Sequence, residues 1–219
     1  MSIKGIAFDI DGTLYPNFQM FLLSMSSFIR NPRLAWHFSR NRKAIRKMGE
    51  ISDFRRVQAE MIAREMGKDP EVIYRRVENC LYRNWEKAFR HLRPYRDARR
   101  VIAGLKDRGY RLGVLSDFPP QNKLKYMGLE GLWDVCFSSE EVHYLKPRPE
   151  PFLELARRMG LPPKEILYVG NSFHYDILGA SGAGMKTAWL SRKPLAPPAD
   201  IRFRSYRELE TKLRDFLVR

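Results

Sequence analysis

Groups able to do chemistry stand just past the apolar runs of this 219-residue chain. "IKGIAF" (3–8) gives way to "DIDGT", with Asp9 and Asp11. "RLGVLS" (111–116) ends on Ser116, with Asp117 next. "DVCFS" (134–138) leads on to "KPRPEP" and Lys146. "EILYVG" (165–170) runs into Asn171, with Asp176 close behind. Carboxylates, a hydroxyl, an amine and an amide on one rim suit phosphoryl transfer. A carboxylate can attack phosphorus and form an aspartyl phosphate. Two carboxylates two residues apart at an extended strand end point the same way, so one can attack while the other moves protons. A hard cation with oxygen ligands, Mg²⁺ above all, would offset the repulsion between carboxylate and phosphate. A lysine point charge and a serine hydroxyl would hold the phosphoryl oxygens. Gly12 would let backbone N–H groups come close to the anion.

Such a rim requires a particular scaffold. The apolar runs are near-continuous rather than alternating, as in strands covered on both faces. "KTAWLS" (186–191) and "IRFRS" (201–205) continue the series. Helical patterns lie between the later strands: 95–109 closing on Gly109, 149–160 closing on Gly160, and 206–217 at the end. Strand alternating with helix predicts an α/β fold, a doubly wound parallel sheet with ligands bound beyond the strands' carboxyl ends. Residues 15–93 interrupt this rhythm and are too many for a loop. They read as four helices, at 18–30, from Asn31-Pro32 to Gly49, at 52–67, and from Asp69-Pro70 to about 92. The expected organisation is therefore an α/β core from residues 1–14 and 94–219 with an inserted helical unit at 15–93.

The segments "FDIDGTLY" (8–15), "VLSDF" (114–118), "LKPRPEPF" (145–152) and "VGNSFHYDILGA" (169–180) together resemble the four motifs of the haloacid dehalogenase superfamily of phosphohydrolases. Order and spacing match from residue 3 to about 191. The inserted helices resemble the cap that follows the first motif in small-molecule phosphatases. The resemblance implies that Asp9 is nucleophile and metal ligand, and that Asp11 is the general acid/base and lends the metal its backbone carbonyl. It further implies that Ser116 binds the phosphoryl group and that Lys146 pairs with nucleophile and phosphate. Gly12, Thr13 and Asp117 join Ser116 and Lys146 around the phosphate. Asp176 acts from outside the metal's ligand set or orients the lysine. Asp11 separates the chain from the dehalogenases proper, which lack this acid/base and metal chemistry. Two positions depart from the pattern. Asp117 stands where Asn is common, and puts a negative charge beside the phosphate unless it turns away. Asn171 stands where a metal-binding Asp is usual. Its amide oxygen still suits a hard cation but lacks the charge, so a working, weaker Mg²⁺ site is expected.

The expected activity is hydrolysis of a small phosphorylated metabolite. A phosphotransferase or mutase, or a non-catalytic basic binding protein, are the alternatives. The net charge of +15 attracts nucleic acid, acidic membrane or anionic substrate without choosing among them. Most of the basic residues alternate with acids along helix faces, so no specific nucleic-acid partner is expected. Cys80 and Cys136 form neither a disulfide framework nor a zinc spacing, and the first residues lack a signal-peptide pattern, so a cytoplasmic protein is expected. "NFQMFLLSMSSFIR" (17–30) places Phe18, Phe21, Met25 and Phe28 or Ile29 on one face, with Met20, Leu22 and Leu23 beyond it. That face reads as cap core and contact with the sheet domain. Alternatives are a lining for a partly apolar phosphate ester, or, with the basic segment 30–47, a surface for acidic lipid. His37, His143 and His174 read as structural, and Arg148 as a possible helper for anions.

Overall fold

The computed structural model of the chain describes residues 2–194 and 196–217. Met1, Leu195, Val218 and Arg219, which fall in the expected core ranges, lie outside the described residues. After β1 (Gly5–Phe8) come five helices, α1 (Asn17–Arg30), α2 (Pro32–Ile45), α3 (Phe54–Met66), α4 (Pro70–Val77) and α5 (Arg83–Phe89). The chain then alternates: α6 (Ala98–Asp107), β2 (Arg111–Ser116), α7 (Gln121–Tyr126), β3 (Val135–Ser138), α8 (Pro149–Met159), β4 (Ile166–Gly170), α9 (Leu178–Gly182), β5 (Lys186–Leu190), β6 (Ile201–Phe203) and α10 (Tyr206–Leu217). The strands form one parallel sheet in the order β3-β2-β1-β4-β5-β6. Each expected strand is present, with ends moved by two residues at most.

Alternation along the strands feeds two cores. Ile6, Phe8, Leu112, Val114, Leu167 and Val169 face α6 and α10, where they meet Ile102, Leu105 and Leu209. Ala7, Leu115, Ile166 and Tyr168 face the other way, against Phe152, Leu155 and Met159 of α8. Burial on both faces is the reason the strands read as unbroken apolar runs. β1 is central, with β2 on one side and β4 on the other. Successive connections therefore leave β1 in opposite directions and open a crevice at the strands' carboxyl ends.

The inserted helices have their own core, in which Leu34 and Phe38 of α2 meet Ile62 of α3 and Ile73 and Val77 of α4. Asp53 caps α3 through Arg56 N–H, and Asp69 caps α4 through Glu71 and Val72 N–H. Asn31 precedes Pro32 as expected but makes no capping bond; its Oδ1 accepts from Arg76 instead, at 3.4 Å. The helix expected from Asp69 to about 92 is interrupted, because Glu78–Tyr82 forms a π-helical turn between α4 and α5. The reading of α1 also needs correction. Phe18, Phe21, Met25 and Ile29 are exposed, whereas Met20 and Leu23 pack on the sheet's core and Phe28 on the insertion's. Periodicity does select one apolar face of this helix, with Gln19 and Arg30 on the other side, but that face is the exposed one.

Arg46, just past the end of α2, ties the insertion to the sheet. Its Nη1 donates to Lys146 O at 2.7 Å, its Nη2 lies 2.5 Å from Asp117 Oδ2, and its guanidinium stacks on Tyr175. Breaking one partner of a mostly buried pair costs about 3 kcal/mol or more. At this chain length each kcal/mol moves Tm by roughly 2–4 °C. Arg46→Met is therefore expected to lower Tm by ~6–12 °C in a thermal melt, and adding Asp117→Asn should recover part of that loss. A double variant no more stable than Arg46→Met would show that Arg46 does not act through Asp117.

Candidate active site

The expected residues meet in the crevice between β1 and β4. Asp9 lies one residue past the last paired position of β1, and its N–H donates to Val169 O at 3.0 Å. Lys146 comes over from the segment after β3. Its Nζ donates to Asp9 Oδ1 and Asp176 Oδ1, both at 2.7 Å, and to Tyr168 OH at 3.3 Å. Tyr168 donates in turn to Leu115 O, so the lysine head is fixed from three sides. Asp176 is anchored by Ser172 N–H. It packs so closely on the end of β4 that a Cβ at Gly170 would sit 2.3 Å from the Asp176 Cβ. Thr13 Oγ1 lies 2.9 Å from Asp9 Oδ2 and 3.2 Å from Asn171 Oδ1, which brings the carboxylate and the amide oxygen to one point. The Asn171 amide nitrogen packs on Gly12, whose φ of +88° and lack of Cβ leave room for it. Trp189 Nε1 holds the Asn171 carbonyl at 3.0 Å.

Two carboxylates thus share one ammonium inside the protein; Asp9, Lys146 and Asp176 are 5%, 2% and 1% exposed. Burial, followed by the nearby Asp176 charge, pushes the Asp9 carboxyl up to about 7, against the pull of Lys146. Burial alone would lower the Lys146 pKa, but Asp176 and Asp9 outweigh it and hold the ammonium well above its ordinary value. The pocket therefore carries more negative charge than it neutralises. Among the described residues no three His, Cys, Asp or Glu side chains gather as a metal cluster. The donors here are of another kind, the Asp9 carboxylate and the Asn171 amide oxygen, which meet at Thr13. Hard oxygen donors with uncompensated negative charge fit Mg²⁺.

Asp11 stands on the outer side of the crevice. Lys123 Nζ donates to both its oxygens, at 2.6 and 2.7 Å, and Tyr15 OH donates to Oδ1. Sequence reasoning missed Lys123 and the helix that carries it. The available signal was a lysine on the apolar stripe with Leu124 and Met127, both buried. Ser116 is fully buried at the end of β2, where its Oγ accepts from Phe118 N–H at 3.3 Å. Asp117, expected near phosphate, has its carboxylate turned to other partners: Ser139 Oγ at 2.8 Å and Arg46. Burial alone would raise its pKa, but Arg46, Lys146 and Arg42 reverse the shift and hold it well below the usual range. The histidines serve elsewhere. His37 pairs with Glu65, His143 Nδ1 lies 3.3 Å from Ile51 O, and exposed His174 meets the Tyr175 ring edge to face. Arg148 is held by Glu150 at 3.0 Å.

A cavity of about 530 Å³ opens from Asp11 and Lys123 into the inserted helices, between α1, the π turn, α5 and Phe118. Asp9 and its lysine thus lie behind a chamber whose walls belong mainly to the insertion.

A family model described as haloacid dehalogenase-like hydrolase matches residues 3–184. A glyceraldehyde 3-phosphate phosphatase of Methanopyrus kandleri is 30% identical over 201 residues, 87% of this chain and 84% of that protein. The pyrophosphatase PpaX of Halalkalibacterium halodurans is 28% identical over 86% of this chain and 83% of its own length. The crystal structure of a HAD phosphatase from Thermococcus onnurineus superposes with a TM-score of 0.71 at 25% identity, covering 96% of this chain and 98% of that one. Among the described residues no helix is long and apolar enough to cross a membrane.

The charge imbalance has a consequence for stability. Unfolded, Asp9 releases its proton near 3.8; folded, it keeps it to about 7. Between those values the folded state binds more protons, so stability of the metal-free protein falls as pH rises through this window. The depressed Asp117 acts in the opposite sense, but its contribution is complete once pH exceeds about 4. In EDTA, Tm is expected to fall between pH 5 and 8. Asp9→Asn should flatten that fall and raise Tm at pH 8 by several degrees. An unchanged pH slope in Asp9→Asn would place the strain elsewhere.

Proposed function

This chain belongs to the haloacid dehalogenase-like hydrolases and is a phosphatase; we propose that it cleaves small phosphate monoesters through an aspartyl phosphate on Asp9, with Mg²⁺. The observation that carries this reading is the pairing of buried, lysine-bound Asp9 with Asp11, two residues on, at the mouth of the cavity. An Asp9 carboxylate oxygen attacks phosphorus. The bond to the leaving oxygen breaks, and Asp11 gives that oxygen its proton, releasing the alcohol. Asp11, now ionised, takes a proton from water as the water oxygen attacks phosphorus; the Asp9–phosphate bond breaks, and inorganic phosphate leaves. Lys146 and the Ser116 hydroxyl hold the phosphoryl oxygens, with backbone N–H groups around Gly12 and Thr13 as further donors. Mg²⁺, held by the Asp9 carboxylate, the Asn171 amide oxygen and the Asp11 backbone carbonyl, would neutralise phosphoryl charge and relieve the repulsion that raises the Asp9 pKa. Lys123 and Tyr15 aim the Asp11 carboxylate. Residues 15–93 act as a cap that covers the site and selects the leaving group, with Arg46 holding cap to core.

Asp9→Asn should abolish phosphate release, because an amide cannot form the acyl phosphate. Asp11→Asn should cost about 10²–10⁴-fold in kcat. Retention of more than a trace of activity by Asp9→Asn would exclude the covalent route.

The metal assignment is tested by activity against Mg²⁺ concentration. Asn171→Asp, which adds a charged donor, should lower the Mg²⁺ needed for half-maximal rate, and Asn171→Ala should raise it. Both variants keeping the parent's Mg²⁺ dependence would remove Asn171 from the metal site.

A further inference from the structure

The cavity beyond Asp11 holds more than a place for a small alcohol. Its volume, about 530 Å³, lies within the range of about 300–1,000 Å³ that accommodates ring-containing, drug-sized ligands. Its walls are aromatic: Phe21 and Phe28 of α1 face Tyr82, Trp85 and Phe118. The last three are locked edge to face, with Trp85 5.4 Å from Tyr82 and 5.8 Å from Phe118 between ring centroids, and Arg42 stacks on Phe118. Such a wall is rigid and offers a flat group ring edges and faces to lie against.

Three polar atoms on cavity-lining residues are buried without a partner: Ser24 Oγ, Tyr82 OH and Trp85 Nε1. Ser24 is 3% exposed. Buried polar atoms are nearly always hydrogen-bonded, so three of them around one chamber mark places for a ligand's polar atoms. Trp85 Nε1 can only donate, and the hydroxyls can donate as well, so the complementary atoms are acceptors. Of the lining cations, Arg55 is taken by Glu78 at 2.8 Å and Lys123 by Asp11, while Arg83 is exposed. A second phosphate would find little buried positive charge that is not already paired. The π turn at Glu78–Tyr82 points to the same place, since such turns are frequent at functional sites, and both of its end residues line the chamber.

We propose that the substrate's organic part is a planar aromatic or heteroaromatic group carrying hydrogen-bond acceptors, seated between α1 and the Tyr82–Trp85–Phe118 wall, with Trp85 Nε1 and Tyr82 OH donating to it. This rests on the phosphatase reading above and narrows it. It separates the chain's substrate from a three-carbon phosphate, which would leave the wall uncontacted, and from pyrophosphate, which has no ring.

The test compares pyridoxine 5′-phosphate and 1-naphthyl phosphate with glycerol 3-phosphate, glyceraldehyde 3-phosphate and pyrophosphate, all with Mg²⁺. Stacking and a hydrogen bond together predict kcat/KM about 10–100-fold higher for pyridoxine 5′-phosphate than for the three-carbon esters. Equal or better turnover of the three-carbon esters or pyrophosphate overturns the proposal and leaves the phosphatase reading intact. Trp85→Phe keeps a ring and removes one donor. It should raise KM for pyridoxine 5′-phosphate about 10-fold more than for 1-naphthyl phosphate, whose ring bears no acceptor, with little change in kcat. Equal effects on the two substrates overturn the role of Nε1. Calorimetric titration of Asp9→Asn separates binding from chemistry. If no compound is hydrolysed by the parent, yet this variant binds pyridoxine 5′-phosphate more tightly than glycerol 3-phosphate, the catalytic reading falls and the cavity assignment stands. Equal or undetectable binding of both overturns the assignment.

Discussion

One ammonium between two buried carboxylates governs this molecule. Lys146 reaches Asp9 and Asp176 at the same 2.7 Å, and it can do so only if β1, β4 and the segment after β3 end at the same level. Placing three charges out of water is costly, and a lone carboxylate there would be intolerable. The sheet meets that cost by bringing all three to one point. A site with one negative charge in excess is stable enough to form and, on the proposed reading, is poised for a cation. The raised Asp9 pKa is the local sign of this poise.

Geometry around that triad follows from it. Gly170 must lack a Cβ because Asp176 folds back on the end of β4 to reach the lysine. Tyr168 points into the α8 side of the sheet, yet its hydroxyl is bonded to Lys146 and Leu115, so a core residue doubles as a support for the site. Asp117 answers the worry its sequence position raised. A second uncompensated carboxylate beside Asp9 would worsen the imbalance, and Arg42 of α2 and Arg46 just past it bring charge compensation to it. The residue that departs from the common pattern is thereby made part of the contact between the inserted helices and the sheet.

The sheet was legible because strands buried on both faces have little compositional freedom, and the residues after them were legible because their types are fixed by chemistry. Asp9, Asp11, Lys146, Asn171 and Asp176 fall where the strand ends predicted. The misread parts are those where local pattern underdetermines structure. α1 has an apolar face in sequence, yet its neighbours draw Met20 and Leu23 inward and leave Phe18 and Phe21 of that face exposed. α7 is six residues long, too short to announce itself, and it carries the lysine that holds Asp11. Arginines of the inserted helices such as Arg46 look in sequence like any solvated basic residue; their partners lie about 70 to 100 positions away.

The division between legible and illegible parts has a physical origin. Phosphate and metal make the same demands in any protein, so the residues that meet them are few in kind and recur in type. A leaving group makes demands only on shape and hydrogen bonding, which many helices can satisfy. Here those demands fall on a π turn, whose extra residue displaces Tyr82 from the register a regular helix would give it, and on a tryptophan one turn further on. No rule of spacing singles out Tyr82 or Trp85 in the sequence. Their unpartnered polar atoms, gathered on the walls of one chamber next to Asp11, do so only once the chain is folded. Specificity in such a molecule is therefore read from unmet hydrogen bonds rather than from motifs.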